Sequence, residues 1–156
     1  MPRDLLADTG RRTLKLHNLN TTERLTVEYW VDGWYDPDAL AALDRFLRDW
    51  RTGEVKEIDP NLLDLVYLLH RRCAPGGEVQ VVCGYRSPKT NAMLRRQSSG
   101  VARNSYHLRG QAMDFRIEGA DLHGVRQEAV AAKVGGVGYY PRSDFVHVDT
   151  GPVRTW

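Results

Sequence analysis

Hydrophobic residues in the first half of the chain alternate with polar ones in two segments and take up helical spacing in two others. Leu14–Leu16 and Leu25–Val31 are predicted strands, and the polar segment Asn18–Thr22 between them predicts a hairpin turn. An aspartate followed by proline predicts a helix start at Asp36 and another at Asp59. The apolar stripes of these helices comprise Leu40, Leu43, Phe46, Leu47 and Trp50 in the first, and Leu62, Leu63, Val66, Leu69 and Cys73 in the second.

Short apolar segments dominate the second half of the chain and predict most of the strands. Because helices come early and most strands late, we predict an α+β fold with a central antiparallel sheet and helices packed mainly on one side. We assign this single small domain to residues 13–156 and expect a flexible leader at residues 1–12. The predicted elements are strands at Val79–Gly84, Gln111–Ile117, Val137–Tyr140 and Phe145–Thr150, helices from Ser87 and over Asp121–Val134, and a polar loop at Gln97–Arg109.

The composition is that of one globular domain: 156 residues, 42% hydrophobic and 27% charged, with a net charge of +2. This near balance of charge gives no electrostatic reason to expect a nucleic-acid partner. We also expect the protein to be a monomer. The longest apolar run, Leu65–Leu69, is far shorter than the ~18 residues of a membrane span. The chain carries no export-signal pattern, so we expect either an intracellular protein or one whose targeting segment has been removed.

The two cysteines, Cys73 and Cys83, lack the C-x-x-C spacing of a thiolate zinc site. A disulfide between them is compatible with their spacing of ten positions in the chain. We favour buried free thiols, because free cysteine is among the most buried residue types.

Asp114 is an unusual residue for its place in an otherwise apolar predicted strand. It shares a strand face with Ala112 and Arg116. Burying a carboxylate there costs several kcal/mol unless a cation, hydrogen bonds or a metal compensates for it. Asp114 is therefore either a metal ligand or a residue that pairs with Arg116 or faces solvent.

His147 and Asp149 share a face of the last predicted strand. They are either a metal ligand and the carboxylate that hydrogen-bonds to it, or a core histidine that is hydrogen-bonded to a neighbouring aspartate. Together with His107, they provide two imidazoles and the Asp114 carboxylate, a ligand set that suits catalytic zinc. Zinc activates water as a nucleophile, and such a reaction also needs a general base. Asp144, three residues before His147, is either that base or an aspartate that caps its own turn.

Arg86 follows a predicted buried strand, where a guanidinium can polarise a scissile carbonyl and stabilise an oxyanion. Its alternative roles are those of a surface cation or a partner for Asp114. The chain has no G-x-S-x-G elbow, no phosphate-binding glycine loop and no dinucleotide fingerprint, so serine hydrolases, NTPases and Rossmann enzymes have no motif support.

Three motifs carry a resemblance to a known family: Ser105-x-His107-x-x-Gly110-x-Ala112-x-Asp114, Gly135–Pro141 and Phe145–Gly151. They resemble the zinc peptidases that cleave bacterial cell-wall peptides, and in particular the MepK-like (YcbK-like) murein endopeptidases, relatives of D-Ala-D-Ala carboxypeptidases and dipeptidases. The resemblance runs from about Leu14 to Trp156 and includes the stretches at residues 51–55 and 84–88. It implies a small α+β domain whose central antiparallel sheet carries one zinc ion.

The resemblance also implies a role for each candidate residue. Asp144 matches the position of the base in the wider superfamily, and Asp149 is its rival for that role. The implied assignments are His107, Asp114 and His147 as zinc ligands, Arg86 as the residue that steadies the substrate carbonyl and oxyanion, Ser105 as a residue lining the substrate cleft, and Asp149 as the carboxylate that orients an imidazole.

The function implied by the resemblance is zinc-dependent hydrolysis of peptide bonds in peptidoglycan. We expect endopeptidase cleavage of cross-links, including those between two meso-diaminopimelate residues. The alternatives are a D,D-carboxypeptidase or D-Ala-D-Ala dipeptidase, and a non-catalytic cell-wall-binding module with a structural or empty metal site. Such proteins act in the periplasm or outside the cell.

Overall fold

The computed structural model describes residue 6 and residues 10–156. The predicted leader, residues 1–12, lies mostly outside this part, and the first strand already begins at Arg11. In chain order, the described elements are β1 (Arg11–Asn18), β2 (Arg24–Val31), β3 (Trp34–Tyr35), α1 (Pro37–Phe46), α2 (Pro60–Cys73), β4 (Val79–Cys83), α3 (Pro88–Gln97), a 3-10 turn (Tyr106–Arg109), β5 (Ala112–Ile117), α4 (Leu122–Ala132), β6 (Gly136–Tyr140), β7 (Phe145–Asp149) and β8 (Arg154–Thr155).

The strands form one eight-stranded sheet in the order β3-β2-β1-β4-β5-β7-β6-β8. All neighbours are antiparallel except the pairs β1–β4 and β6–β8, which are parallel. The parallel β1–β4 pair is possible because a long connection joins these strands, through β2, β3, α1 and α2, and parallel strands need a crossover of a dozen or more residues. The α+β prediction is confirmed, with a sheet that is mostly antiparallel.

The described helices begin where a capping side chain replaces the missing backbone hydrogen-bond acceptor. Each capping side chain accepts a backbone N–H of the first turn, which confirms the helix starts predicted at Asp36 and Asp59. The capping residues are Asp36, Asp59, Ser87 and Asp121.

The first helix is shorter than predicted. It ends at Phe46. The apolar spacing assigns Trp50 to the apolar stripe of this helix, but Trp50 lies beyond the helix end and is 41% exposed. The chain turns instead around the buried Asp49, whose carboxylate accepts the backbone N–H groups of Arg51 and Ser87. These bonds tie the segment after α1 to the start of α3.

The two faces of the sheet differ in their covering. Helices α2 and α4 pack on each other and against β5, and the apolar side chains of the strands meet them there. Polar side chains of β4, β5 and β7 point to the opposite face, where Nε of Arg116 donates to Oε1 of Gln80 at 2.6 Å. Because α2 and α4 leave this polar face free, it is available for a functional site.

No helix among the described residues is long and apolar enough to cross a membrane.

Candidate metal centre

Three side chains that commonly bind metals lie in one cross-strand row on the polar face. Asp114 on β5 pairs with His147 on β7 and with Cys83 on β4. The β4–β5 register shifts between Val81 and Cys83, so that Cys83 takes the place opposite Asp114 that regular pairing gives to Val82. The row Cys83–Asp114–His147 is therefore set by strand register.

His107 reaches this row from the 3-10 turn. Oγ of Ser105 accepts the backbone N–H of His107 at 3.3 Å, and Gly110 ends the turn in the left-handed region at φ +67°. A Cβ atom on Gly110 would lie 2.2 Å from the carbonyl oxygen of Glu57, so both the conformation and the space require glycine.

The imidazole of His107 is oriented by the chain segment that follows β4. Nδ1 of the ring donates to the carbonyl oxygen of Gly84 at 2.8 Å. The backbone carbonyl of His107 accepts the backbone N–H of Arg86 at 3.1 Å. Nε2 is then directed to Oδ1 of Asp114, 3.2 Å away.

His147 is held between two carboxylates. Its Nδ1 lies 2.8 Å from Oδ1 of Asp114, and its Nε2 lies 2.9 Å from Oδ2 of Asp149. Asp149 is fully buried, and its two oxygens also accept two N–H groups of Arg154 and the backbone N–H groups of Gly136 and Gly151. Every oxygen of Asp149 therefore has partners.

Glycines of β6 make room for the side chains around His147. A Cβ atom on Gly136 would lie 2.4 Å from Nη1 of Arg154, and one on Gly138 would lie 2.8 Å from the ring of Trp156. The Trp156 ring in turn lies 5.2 Å from that of His147, between ring centroids. This packing explains the glycines at positions 136 and 138 of β6.

The three predicted ligands are buried, and electrostatic interactions between them shift pKa values. His107 is 2% exposed, Asp114 7% and His147 8%. Burial raises the pKa of Asp114, but the neighbouring His107 and His147 more than offset this and hold the pKa well below its usual range. Burial by itself favours a lower pKa for His107. The Asp114 carboxylate and Cys83 outweigh this effect of burial, so the pKa of His107 is raised well above its ordinary value.

Asp149 has a lowered pKa for a related reason. Burial opposes its ionisation, but hydrogen bonds from His147, Arg154 and the two backbone N–H groups stabilise the charged form more strongly. Asp149 is therefore an ionised carboxylate that accepts hydrogen bonds.

The convergence of donor atoms fits a transition-metal ion. Nε2 of His107 and Nδ1 of His147 both lie beside Oδ1 of Asp114, while the other ring nitrogens bond a carbonyl and a carboxylate. Metal-binding histidines have this arrangement, in which the second nitrogen fixes the ring and its tautomer. Imidazole nitrogens with a carboxylate suit zinc better than magnesium or calcium.

Cys83 belongs to the same cluster, although the sequence patterns do not indicate it. One donor atom each from Cys83, His107 and Asp114 lie within 4.8 Å of one another, a group able to hold a metal ion. Cys73 and Cys83 are both free, so the disulfide alternative is wrong and the favoured free thiols are present, though both are half-buried. The register shift of β4 is what brings Cys83 here.

A cleft of about 410 Å³ opens over the row. Arg86 lines it: its Nη1 donates to Oδ1 of Asn91 at 3.2 Å, its Nη2 lies 3.7 Å from Sγ of Cys83, and its buried Nε has no hydrogen-bond partner among the described residues. Ser105 lines the cleft as well, as do the aromatic residues Tyr106, Tyr140, Phe145 and Trp156.

Asp144 lies apart from the cluster. It occupies the β6–β7 turn at φ +56°, its side chain is 63% exposed, and its carboxylate pairs with Nη1 of Arg116 at 3.1 Å. It is not among the residues that line the cleft. Arg116 thus pairs with Asp144 and Gln80 rather than with Asp114.

The family of the chain follows from comparison with known proteins. Residues 7–156 match the family model described as "Peptidoglycan L,D-endopeptidase MepK". The chain belongs to this peptidase family. Membership confirms the resemblance drawn from the Ser105–Asp114 motif and makes the chain an enzyme of the hydrolase class.

Named relatives agree with the family model. The probable peptidoglycan L,D-endopeptidase MepK of Haemophilus influenzae is 51% identical over 146 residues, covering 93% of this chain and 78% of the relative. The peptidoglycan L,D-endopeptidase MepK of Escherichia coli K12 is 49% identical over 145 residues, covering 93% of this chain and 80% of the relative.

Proposed function

We propose that this chain is a zinc-dependent peptidoglycan endopeptidase that cleaves L,D peptide bonds in the cross-links between stem peptides. The observation that carries the proposal is that ring nitrogens of His107 and His147 lie 3.2 Å and 2.8 Å from the same oxygen of Asp114, in the lining of one cleft. Membership of a family described as L,D-endopeptidases supports the bond type over that of a D,D-carboxypeptidase or dipeptidase. It also supports catalysis over a purely binding role.

His107, Asp114 and His147 hold the metal ion in this proposal. A bound zinc ion supplies Lewis acidity, which activates a water molecule for attack and polarises the scissile carbonyl. The protein contributes the orientation of the ligands, because Gly84 and Asp149 fix the two imidazole rings from behind.

Arg86 is the proposed oxyanion-stabilising residue. Its guanidinium lines the cleft, and Asn91 holds one of its nitrogens in place. Donors arranged in advance of the reaction stabilise the negative charge that develops on the carbonyl oxygen, and removal of one such donor costs about 10²–10³ in kcat. Ser105 is proposed to line the substrate cleft beside the ligand turn.

The general base is proposed to be Asp144 or Asp149, and their surroundings differ. Asp149 has all its oxygens engaged and a depressed pKa, which favours a role in orienting His147 over proton transfer. Asp144 is exposed and has Arg116 as its ion-pair partner, so proton transfer requires its side chain to leave Arg116 and turn toward the cleft. Separate substitutions at the two positions resolve the assignment.

The proposed site of action is the periplasm or the cell exterior, where peptidoglycan lies, and the proposed active form is a monomer. Peptidoglycan peptides are the proposed partners.

The test of the proposed activity uses purified peptidoglycan and the zinc-loaded protein. Cross-linked muropeptides should decrease and uncrosslinked ones accumulate in chromatograms, and His147→Ala should abolish the change. His17→Ala, which alters a histidine of β1 outside the centre, is the matched control and should retain activity. Isolated monomeric muropeptides serve as a second substrate, because trimming of their terminal residue would indicate a carboxypeptidase. Equal activity in wild type and His147→Ala would contradict the proposal.

A further inference from the structure

Cys83 occupies a position that a metal-binding residue would occupy, although it lies outside the three motifs that identify the family. The register shift in β4 turns its side chain toward Asp114, on the same face of the sheet as His147. Without this shift Val82 would stand opposite Asp114 and Cys83 would face away from it. A local irregularity in the strand thus places a sulfur atom in the candidate metal centre.

The donor atoms around Cys83 are close enough to share one ion. Its Sγ lies within 4.8 Å of a ring nitrogen of His107 and of a carboxylate oxygen of Asp114. Both neighbours are more than nine-tenths buried, and they contact each other at 3.2 Å between Nε2 of His107 and Oδ1 of Asp114. Two ligands of a tetrahedral zinc ion are typically about 3.5 Å apart, which follows from bond lengths of about 2.0–2.3 Å.

The sulfur is chemically available for coordination. Cys83 is not in a disulfide, and its Sγ approaches the carbonyl oxygen of Gly84 at 3.6 Å and Nη2 of Arg86 at 3.7 Å. Both distances are long, so these are weak contacts that a metal–sulfur bond can replace.

We propose that Cys83 is a further ligand of the metal ion held by His107 and Asp114, an inference that rests on the metal-dependent function proposed above. On binding, the thiol loses its proton to solvent and the thiolate forms a bond to the ion. Cys83, His107 and Asp114 are the residues whose donor atoms lie within 4.8 Å of one another, and they would hold the ion. His147, whose Nδ1 contacts Oδ1 of Asp114, would bring the protein ligands to four, the number typical of closed zinc sites. Binding of water or substrate would then require the sulfur to leave the ion or the coordination number to rise.

The sulfur ligand also determines which ions bind well. Thiolate with imidazole selects zinc and other thiophilic ions over magnesium, calcium and manganese, which prefer oxygen. Loss of one outer partner of a metal site costs about 10–100-fold in affinity, so replacing a direct ligand should cost no less. Cys83→Ser should therefore bind zinc at least about tenfold more weakly than the wild type.

Cobalt(II) is the probe that separates sulfur coordination from metal binding as such. The reduced, metal-free full chain is titrated with cobalt under anaerobic conditions, and its near-ultraviolet and visible spectra are recorded. The wild type should show a thiolate-to-cobalt charge-transfer band together with visible ligand-field bands. Cys83→Ser should lose the charge-transfer band and keep ligand-field bands, since His107, Asp114 and His147 remain. Cys73→Ser, which alters the other half-buried thiol, is the matched control and should keep both.

The outcomes distinguish this inference from the proposed function. Ligand-field bands in the wild type without a charge-transfer band would show that metal binds without the sulfur, which overturns the inference and leaves the proposed function in place. A charge-transfer band that survives in Cys83→Ser would overturn it as well. An absence of any cobalt spectrum in the wild type would overturn the inference and the metal-dependent function together. Circular dichroism of each variant checks that the comparison is made between folded proteins.

Discussion

Nδ1 of His147 lies 2.8 Å from Oδ1 of Asp114, directly across the β5–β7 pair. Both residues belong to strands in the middle of the sheet, so their contact is set by hydrogen-bonded register rather than by a loop. A slip of one residue in either strand would send one of these side chains to the opposite face. The sheet therefore fixes the relative positions of Asp114 and His147, while His107 reaches them from the 3-10 turn.

Asp149→Asn should weaken zinc binding without unfolding the protein. The carboxylate of Asp149 accepts from Nε2 of His147 and thereby orients Nδ1 toward Asp114. Loss of such a partner typically lowers metal affinity about 10–100-fold. Competition with a chromophoric chelator measures the change.

The matched control for Asp149→Asn is Asp38→Asn, which removes an exposed carboxylate from the first turn of α1. Its zinc affinity should equal that of the wild type. Thermal unfolding of both variants checks the fold, because Asp149 also accepts hydrogen bonds from Arg154 and two glycines. A folded Asp149→Asn variant with undiminished zinc affinity would contradict the orienting role.

Asp144→Asn should leave zinc affinity unchanged, because the Asp144 carboxylate contacts Arg116 and lies outside the cleft lining. If Asp144 is the general base, kcat should fall by about 10²–10⁴ while the metal content stays constant. Steady-state kinetics on a cross-linked muropeptide, combined with metal analysis, measures both quantities. An Asp144→Asn variant of full kcat would remove Asp144 from the reaction, and reduced zinc affinity would contradict its placement in the structure.

Arg86→Ala should lower kcat far more than it raises KM. The guanidinium lines the cleft and is proposed to stabilise charge that develops only in the transition state, an effect worth about 10²–10³ in kcat. Arg86→Lys keeps the charge but loses the two-nitrogen geometry that spans Asn91 and Cys83, so it should restore only part of the rate. Arg95→Ala, an exposed arginine of α3, is the control. A loss confined to KM would indicate substrate binding instead.

Zinc binding should release a proton near neutral pH, and the affinity should rise with pH. In the metal-free protein the pKa of His107 is raised well above its ordinary value, so the ring is protonated at neutral pH and the ion has to displace that proton. Asp114 contributes none, since its pKa is lowered and it is already ionised. Calorimetric titrations in two buffers of different ionisation enthalpy should give a release of about one proton or more per zinc. A release of zero would contradict the His107–Asp114 coupling.

The sequence was sufficient for the fold class and for the three residues that meet at the base of the cleft. Alternation of polar and apolar residues assigns Asp114 and His147 to faces of their strands, and the motif around His107 links that loop to them. The helix starts at Asp36 and Asp59 followed from local capping chemistry, which depends only on neighbouring residues.

Other features depend on contacts that local patterns do not encode. The sequence predicts Cys83 only as a buried free thiol, because strict alternation does not indicate the register shift between Val81 and Cys83 that brings its side chain beside Asp114. The early end of α1 before Trp50 results from the bonds of Asp49 to the distant Ser87. The parallel β1–β4 and β6–β8 pairs likewise depend on tertiary packing rather than on the sequence of either strand.

Metal stoichiometry tests the central proposal most directly. The wild type, dialysed against zinc and then against metal-free buffer, should retain about one zinc ion per chain by elemental analysis. His107→Ala, Asp114→Asn and His147→Ala should each lose most of it, while the control His17→Ala retains it. Full zinc retention in all three ligand variants, or none in the wild type, would contradict the proposal that these side chains bind one ion.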